Sequence, residues 1–321
     1  MLISENKFFE IQSKFDDIQF SQCLPWKNYW ESRKYEISYF TDNTDNPNIC
    51  AWGITYKLPF FGKIIRIEGE TFNDKCDVEI FKNFYKSVTT ENYAAVLIVS
   101  NSIYNIDHEV GIRMAGFFRP LGLSSCPLSL LIDLQTDLSF SGEYKRKVKL
   151  AKKNELSYKC YSHPTIEQLK LFKDLLIETS SRKKISISFE LNLIHKLFDS
   201  DSFLLFLAFD NSGRHVSGRI LYINNFRSYD LYAANGNGSL NNGASFFLVD
   251  CILDHLKKNS FIEFDFGRIP PNGNSNGVYD FKMKVKGDKI LYNGDWNFFK
   301  NKWLELSYSF YQFFVKKQTR Y

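Results

Sequence analysis

Residues 93–100, YAAVLIVS, form an apolar run with no charged side chain and no period-two alternation. Such a run reads as a central strand buried on both faces, and a sheet that buries a strand this way has to be covered by other layers. The chain around it supplies those layers. A helix is expected within 16–36, where Trp26, Tyr29 and Trp30 fall at helical spacing and Pro25 suits a first helical position. A series of strands is expected over 35–67, with a turn at Asn46, Pro47 and Asn48 and an apolar loop from Leu58 through Pro59, Phe60 and Phe61 to Gly62. A short amphipathic helix over 77–87 then leads into the buried run. Helix, strands, helix, strand is the order of a layered α+β or α/β domain.

The second half repeats the mixture. Residues 128–134, LSLLIDL, read as another buried strand, and Ser141 caps a predicted helix over about 142–154 whose lysines and arginine form a solvated basic face. A helix over 165–180 buries Leu169, Phe172 and Leu176 on one side. After a break at 179–184 and a helix near 190–198, strands are predicted at 203–210, 215–223 and 226–233. Hairpin turns fall at Asn211 to Gly213 and at Asn224 and Asn225. A Gly/Asn-rich loop, 235–243, leads to a helix over 244–258. With 321 residues the chain exceeds what a single core usually sustains, about 250–300 residues, so two domains are expected. Its 44% hydrophobic and 17% aromatic content supports large cores and excludes a disordered chain. A net charge of +5 favours phosphate-bearing partners only weakly. The six cysteines, scattered with no CxxC pair, read as reduced thiols of a cytoplasmic protein without a metal. No secretory leader and no span of eighteen apolar residues is present in the sequence, which leaves peripheral membrane association open.

Residues 261–290 make up the candidate active-site edge. An aromatic strand over 261–266 runs into a loop over 267–277 that holds two prolines, three glycines and three asparagines. An extended pattern is expected to resume over 279–285. It places Lys282 just beyond the loop, where a cation could meet an anionic substrate or a developing oxyanion. The loop at 235–243 precedes a helix, as phosphate cradles do, but it lacks both the spaced GxGxxG and a following Lys-Ser/Thr. Residues 300–321 form an aromatic amphipathic helix with basic ends. Trp303, Leu306, Phe310 and Phe313 are expected to pack onto the protein, the other use of such a helix being a membrane surface.

Several of these segments occur in an order that resembles the FemABX-type peptidoglycan aminoacyltransferases and, more loosely, the two-domain GNAT-like acyltransferases. The match runs through strand 128–134, then Lys145, Val148 and Ala151 on the basic helix, and Thr179 with Arg182. It continues through Gly218 and Ser245 to FDFG at 264–267, Phe281 with Lys282, and Gly287. In the first half Gln22, Cys23 and Trp26, Gly69, and the segment 110–120 fit as well. The resemblance implies an α+β fold of two GNAT-like domains around a cleft, each a mixed sheet flanked by helices. They would span 1–140 and 141–299, with helix 300–321 returning to the first. It also implies transfer of an amino acid from aminoacyl-tRNA to an amine of a UDP- or lipid-linked muropeptide, with no bound cofactor or metal. Lys282 would stabilise the oxyanion or the tRNA end, Arg182 would contact a pyrophosphate, Lys27 or Arg33 would add a phosphate contact, and Tyr279 would touch substrate. The departures are Glu70 in place of a proline after Gly69, and a strand end at 97–101 without an acid. The base is then Asp107, Glu109, His108 or the substrate itself. Any tRNA contact would come from the basic surface at Lys145 to Lys153 and the C-terminal lysines. Two other readings stand beside this one: an acyl-CoA-dependent N-acyltransferase of polysaccharide or envelope biosynthesis, and a catalytically degenerate GNAT-like protein that binds an envelope precursor at the membrane.

Overall fold

The computed structural model describes residues 1–122, 126–184, 187–239, 242–269 and 277–315, and in 311–315 the side chains of Phe313 and Val315 are not among them. The loop residues 240–241 and 270–276 and the last basic residues, 316–321, lie outside that description. Two compact units account for the chain, one built from 1–129 with 290–321 and the other from 130–289.

The first unit runs β1 (Leu2–Ile3), α1 (Glu5–Gln12), α2 (Leu24–Ser32), β2 (Glu36–Thr41), β3 (Ile49–Leu58), β4 (Gly62–Glu68), β5 (Thr71–Phe72), α3 (Val78–Thr90), β6 (Ala95–Ile103) and α4 (Ile106–Met114). The second runs β7 (Leu128–Asp133), β8 (Ser139–Phe140), α5 (Gly142–Lys153), β9 (Ser157–Tyr161), α6 (Ile166–Lys183), α7 (Leu191–Leu197), β10 (Phe203–Phe209), β11 (His215–Ile223), β12 (Arg227–Asn235), α8 (Ala244–Lys258), β13 (Glu263–Arg268), α9 (Gly277–Lys282) and β14 (Val285–Lys286). The chain then gives β15 (Asp288–Phe299) and α10 (Lys302–Phe310) to the first unit.

Both units follow one plan. In the first, β2, β3 and β4 form an antiparallel meander, α3 crosses over, and β6 pairs parallel with β4. In the second, β10, β11 and β12 form the meander, α8 crosses over, and β13 pairs parallel with β12. A parallel neighbour requires a crossover of a dozen residues or more, which each helix supplies. The apolar run that predicted a doubly covered strand is β6, whose residues Ala95 to Ser100 are all buried. Phe81, Phe84, Tyr85 and Val88 of α3 cover one face of it, where Trp296 of the neighbouring β15 stands beside Ile98. Asp77 and Ser141 cap α3 and α5 through their side chains, and Thr165 with Gln168 forms a capping box on α6.

Three expectations need correction. Residues 290–299 join the first unit rather than the second, because β15 pairs antiparallel with β6 from Tyr292 to Phe299. The division therefore falls earlier at both ends than 140 and 299. Lys282 ends a helix, not a strand, and the amide of Met283 donates to the carbonyl of Tyr279 at 2.9 Å. Finally, α10 packs through another face. Leu304 is 2% exposed and joins Ile64, Ala95 and Leu97, with Phe299 and Tyr308 against them, whereas Trp303, Leu306 and Phe310 face outward. The i,i+4 pair Leu304 and Tyr308 takes the inward face, which turns the residues one position away from it to the outside.

Candidate active site

Lys282 lies at the end of α9 with its side chain turned inward. Its Nζ donates to the carbonyls of Phe266, at 2.5 Å, and Arg268, at 3.1 Å, on either side of Gly267. Gly267 has φ +80°, and a Cβ there would stand 3.2 Å from that Nζ, so the glycine both makes the kink and leaves room for the ammonium. Phe266 and Phe281 wall the site, and Nζ sits 5.1 Å from the centre of the Phe266 ring.

Beneath this wall is an ion pair that sequence reasoning missed. Arg219 of β11 is ion-paired with Asp230 of β12, both side chains 4% exposed, and its guanidinium stacks over the Phe266 and Phe281 rings. A β-bulge creates the pairing. Ile220 faces Tyr232 but Leu221 faces Asp230, so Leu231 is the extra residue, and the slip puts Asp230 on the Arg219 face of the sheet. Without the bulge the apolar Leu231 would occupy that place. Asp230 Oδ1 is buried and has no hydrogen-bond partner among the described residues.

Burial pulls the Lys282 ammonium down to about 8; Asp230 and Asp265 draw it back up, and Arg219 and Arg268 push it further down. An amine so tuned exchanges protons near neutral pH, and while protonated it is a strong donor in a dry site. Two of its three donors are used, and the third has no partner among the described residues.

The other predicted residues fall in several places. Tyr279 shares α9 with Lys282, and its hydroxyl accepts from Lys289 Nζ at 3.0 Å. Arg182 is in the last turn of α6, where its guanidinium donates to the carbonyl of Asn235 and to Asn237 Oδ1. Thr179 holds the same Asn235 through both its amide and its carbonyl. In the first unit, Lys27 is buried between Glu5 and Glu31 at 2.5 and 2.8 Å, so its charge is already compensated. Arg33 is exposed and lies over the Tyr29 and Trp30 rings.

Of the base candidates, Glu109 is ion-paired with Arg113 and Arg119. His108 is fully buried, sharing a 2.7 Å hydrogen bond with the Tyr85 hydroxyl and standing 3.1 Å from Glu70 Oε1. Ser100 at the acid-free strand end donates to Glu70. Glu70 thus brings a carboxylate to the place where the strand itself lacks one, but at 1% exposure it braces the core. Burial, reinforced by Glu70, raises the Tyr85 phenol. Among the described residues no group of three His, Cys, Asp or Glu is arranged to hold a metal.

The loop before α8 has a packing explanation. Gly243 has φ +79°, and a Cβ would come within 2.4 Å of the Lys147 carbonyl of α5. The first amide of α8 is taken by Asn242 Oδ1, and in the first unit Asp77 occupies the start of α3 with its own carboxylate.

No protein-family model and no curated protein sequence matches the chain. Solved structures do. FemX is similar over 96% of this chain and 99% of its own, with 14% identity and a TM-score of 0.79. The C-terminal domain of a putative lysylphosphatidylglycerol synthetase from Agrobacterium fabrum follows at 12% identity, 96% and 95% coverage and a TM-score of 0.63. A tandem GNAT protein from the clavulanic acid biosynthesis pathway is similar over 92% and 94% at 6% identity, with a TM-score of 0.52. The likeness is one of fold and runs nearly end to end: the chain has the fold of FemX and of the tandem GNAT protein.

Proposed function

We propose that the protein transfers an aminoacyl group from aminoacyl-tRNA to an amine of a UDP- or lipid-linked cell-envelope precursor. The observation that carries this is Lys282, a buried lysine with one unassigned donor, set beside a buried carboxylate oxygen without a partner. In the reaction the amine nitrogen attacks the ester carbonyl and a C–N bond forms. The C–O bond to the ribose then breaks, and the proton lost by the amine ends on the departing hydroxyl. Negative charge builds on the carbonyl oxygen in between, where a preorganised ammonium is most effective. Asp230 Oδ1 would accept a hydrogen bond from the attacking amine and orient it, with Arg219 holding the carboxylate in place. Arg182, exposed at the end of α6, is the proposed pyrophosphate contact. Of the first-unit pair, Arg33 is the better phosphate ligand, since Lys27 is committed to two carboxylates.

An acyl-CoA donor has less support here. The loop before Ala244 would have to cradle its phosphates, yet Gly243 in that loop is explained by close packing on Lys147, and the starts of α3 and α8 are met by Asp77 and Asn242. The test is transfer of a labelled amino acid from a mixed aminoacyl-tRNA pool to UDP-muropeptide or its lipid-linked form. Transfer that drops about 10²-fold or more in Lys282→Ala, with unchanged folding, is the expected result. Acyl transfer from acetyl-CoA but from no aminoacyl-tRNA would sink the tRNA donor; no loss in Lys282→Ala would sink the site.

A further inference from the structure

The first unit exposes apolar side chains in two places that border one cavity. Outward on α10 and the turn after it stand Trp303 (74% exposed), Leu306 (53%), Phe310 (61%) and Phe314 (60%), a single stripe at helical spacing. At the turn between β3 and β4, Phe60 is fully exposed with φ +67°. A bulky residue in the left-handed region is uncommon, and here the turn holds the ring out into solvent. Between these two features opens a cavity of about 580 Å³, with Leu58 and Phe61 of the hairpin on one side and Leu304, Tyr308 and Tyr311 on the other.

Charge decides what such a surface fits. Lys57 beside the hairpin tip and Lys300 and Lys302 at the start of α10 are exposed. Over 300–321 the sequence has five basic residues (Lys300, Lys302, Lys316, Lys317 and Arg320) against one acid, Glu305. A second copy of the chain would set like charge against like charge. An anionic bilayer instead offers phosphates to the lysines and an acyl boundary to Trp, Leu and Phe. Among the described residues no helix is long and apolar enough to cross a membrane, so the arrangement is one for lying on a surface.

We propose that the β3–β4 hairpin tip and the outer face of α10 dock the protein on an anionic lipid bilayer. The inference goes beyond the transfer reaction and does not depend on it. The test is co-sedimentation of the full chain with vesicles of phosphatidylcholine alone and of phosphatidylcholine with phosphatidylglycerol. Binding is expected to the anionic vesicles and to weaken with salt. The triple variant Phe60→Ser, Trp303→Ser, Phe310→Ser is expected to partition at least about tenfold less while keeping its thermal unfolding midpoint, because all three side chains lie outside the core. Lys282→Ala should bind vesicles like the parent, so a failed transfer assay and a failed docking assay are distinguishable. Absence of vesicle binding, or binding untouched by the triple variant, overturns the proposal. So does a dimer in sedimentation velocity that the same substitutions disperse.

Discussion

One proton on Lys282 links the proposed chemistry to stability. If transfer needs the charged ammonium, the rate per unit of neutral acceptor amine falls as pH rises past about 8. Lys282→Arg, which keeps its charge, should lose that descending limb in a pH profile even where its overall rate is lower. The stability effect has the opposite sense. The native ammonium gives up its proton near 8 and the unfolded one at the ordinary 10.5, so between those values the unfolded chain holds more proton and stability rises with pH. Denaturant unfolding of Lys282→Met should lack this rise and be more stable than the parent at pH 7 by about 1–3 kcal/mol, the cost of burying a charge being removed. Glu70 behaves differently because it is a hub. Removing it in Glu70→Ala strips a buried acceptor from Ser100 and a close partner from His108, and a loss of about 2–4 kcal/mol is expected in the same measurement. The residue types were legible in part. Lys282 stood out beside a polar loop, but Asp230 and Arg219 looked like ordinary strand charges. A bulge that moves one carboxylate across a sheet leaves no local mark in composition.

Helix α10 and the turn into α8 separate two kinds of burial. On α10, Leu304→Ala should cost about 2–4 kcal/mol and lower the melting temperature, whereas Trp303→Ser should leave it within error, although the tryptophan is much the larger side chain. An equal loss from both would mean that the helix packs through the face first expected. At the start of α8, Gly243→Ala forces a Cβ toward the Lys147 carbonyl at a positive φ and should destabilise by about 2 kcal/mol or more. If that variant instead lost donor binding at unchanged stability, the phosphate-cradle reading of the loop would return. Capping and amphipathicity were readable because they involve residues within a turn or two of one another. The inward face of α10 was not, because Trp303, Leu306 and Phe310 form as good an apolar stripe as Leu304 and Tyr308, and only strands from the other end of the unit select between them.

At the scale of the molecule, the second unit is one uninterrupted stretch, whereas the first is closed by chain that returns after it. Residues 130–289 expressed alone are therefore expected to unfold in a single cooperative transition. A chain ending at 289 should leave β6 without its β15 partner and its apolar run open to aggregation, which light scattering would register. A soluble, monomeric product of that truncation would show that β15 is dispensable. What the sequence by itself determined was local: the buried run that became β6, the hairpins, the caps, and the order of segments that resembled a two-domain acyltransferase. Backbone periodicity and neighbouring side chains set those features wherever the segment ends up. Tertiary structure decided the rest: that 290–299 completes the first sheet, that Lys282 turns inward from a helix, that a bulge brings Asp230 to Arg219, and that the aromatic stripe of α10 stays outside. The first and the last depend on chain far away in sequence, and for all of them the selecting free energy comes from burial and desolvation that exist only once both partners are in place.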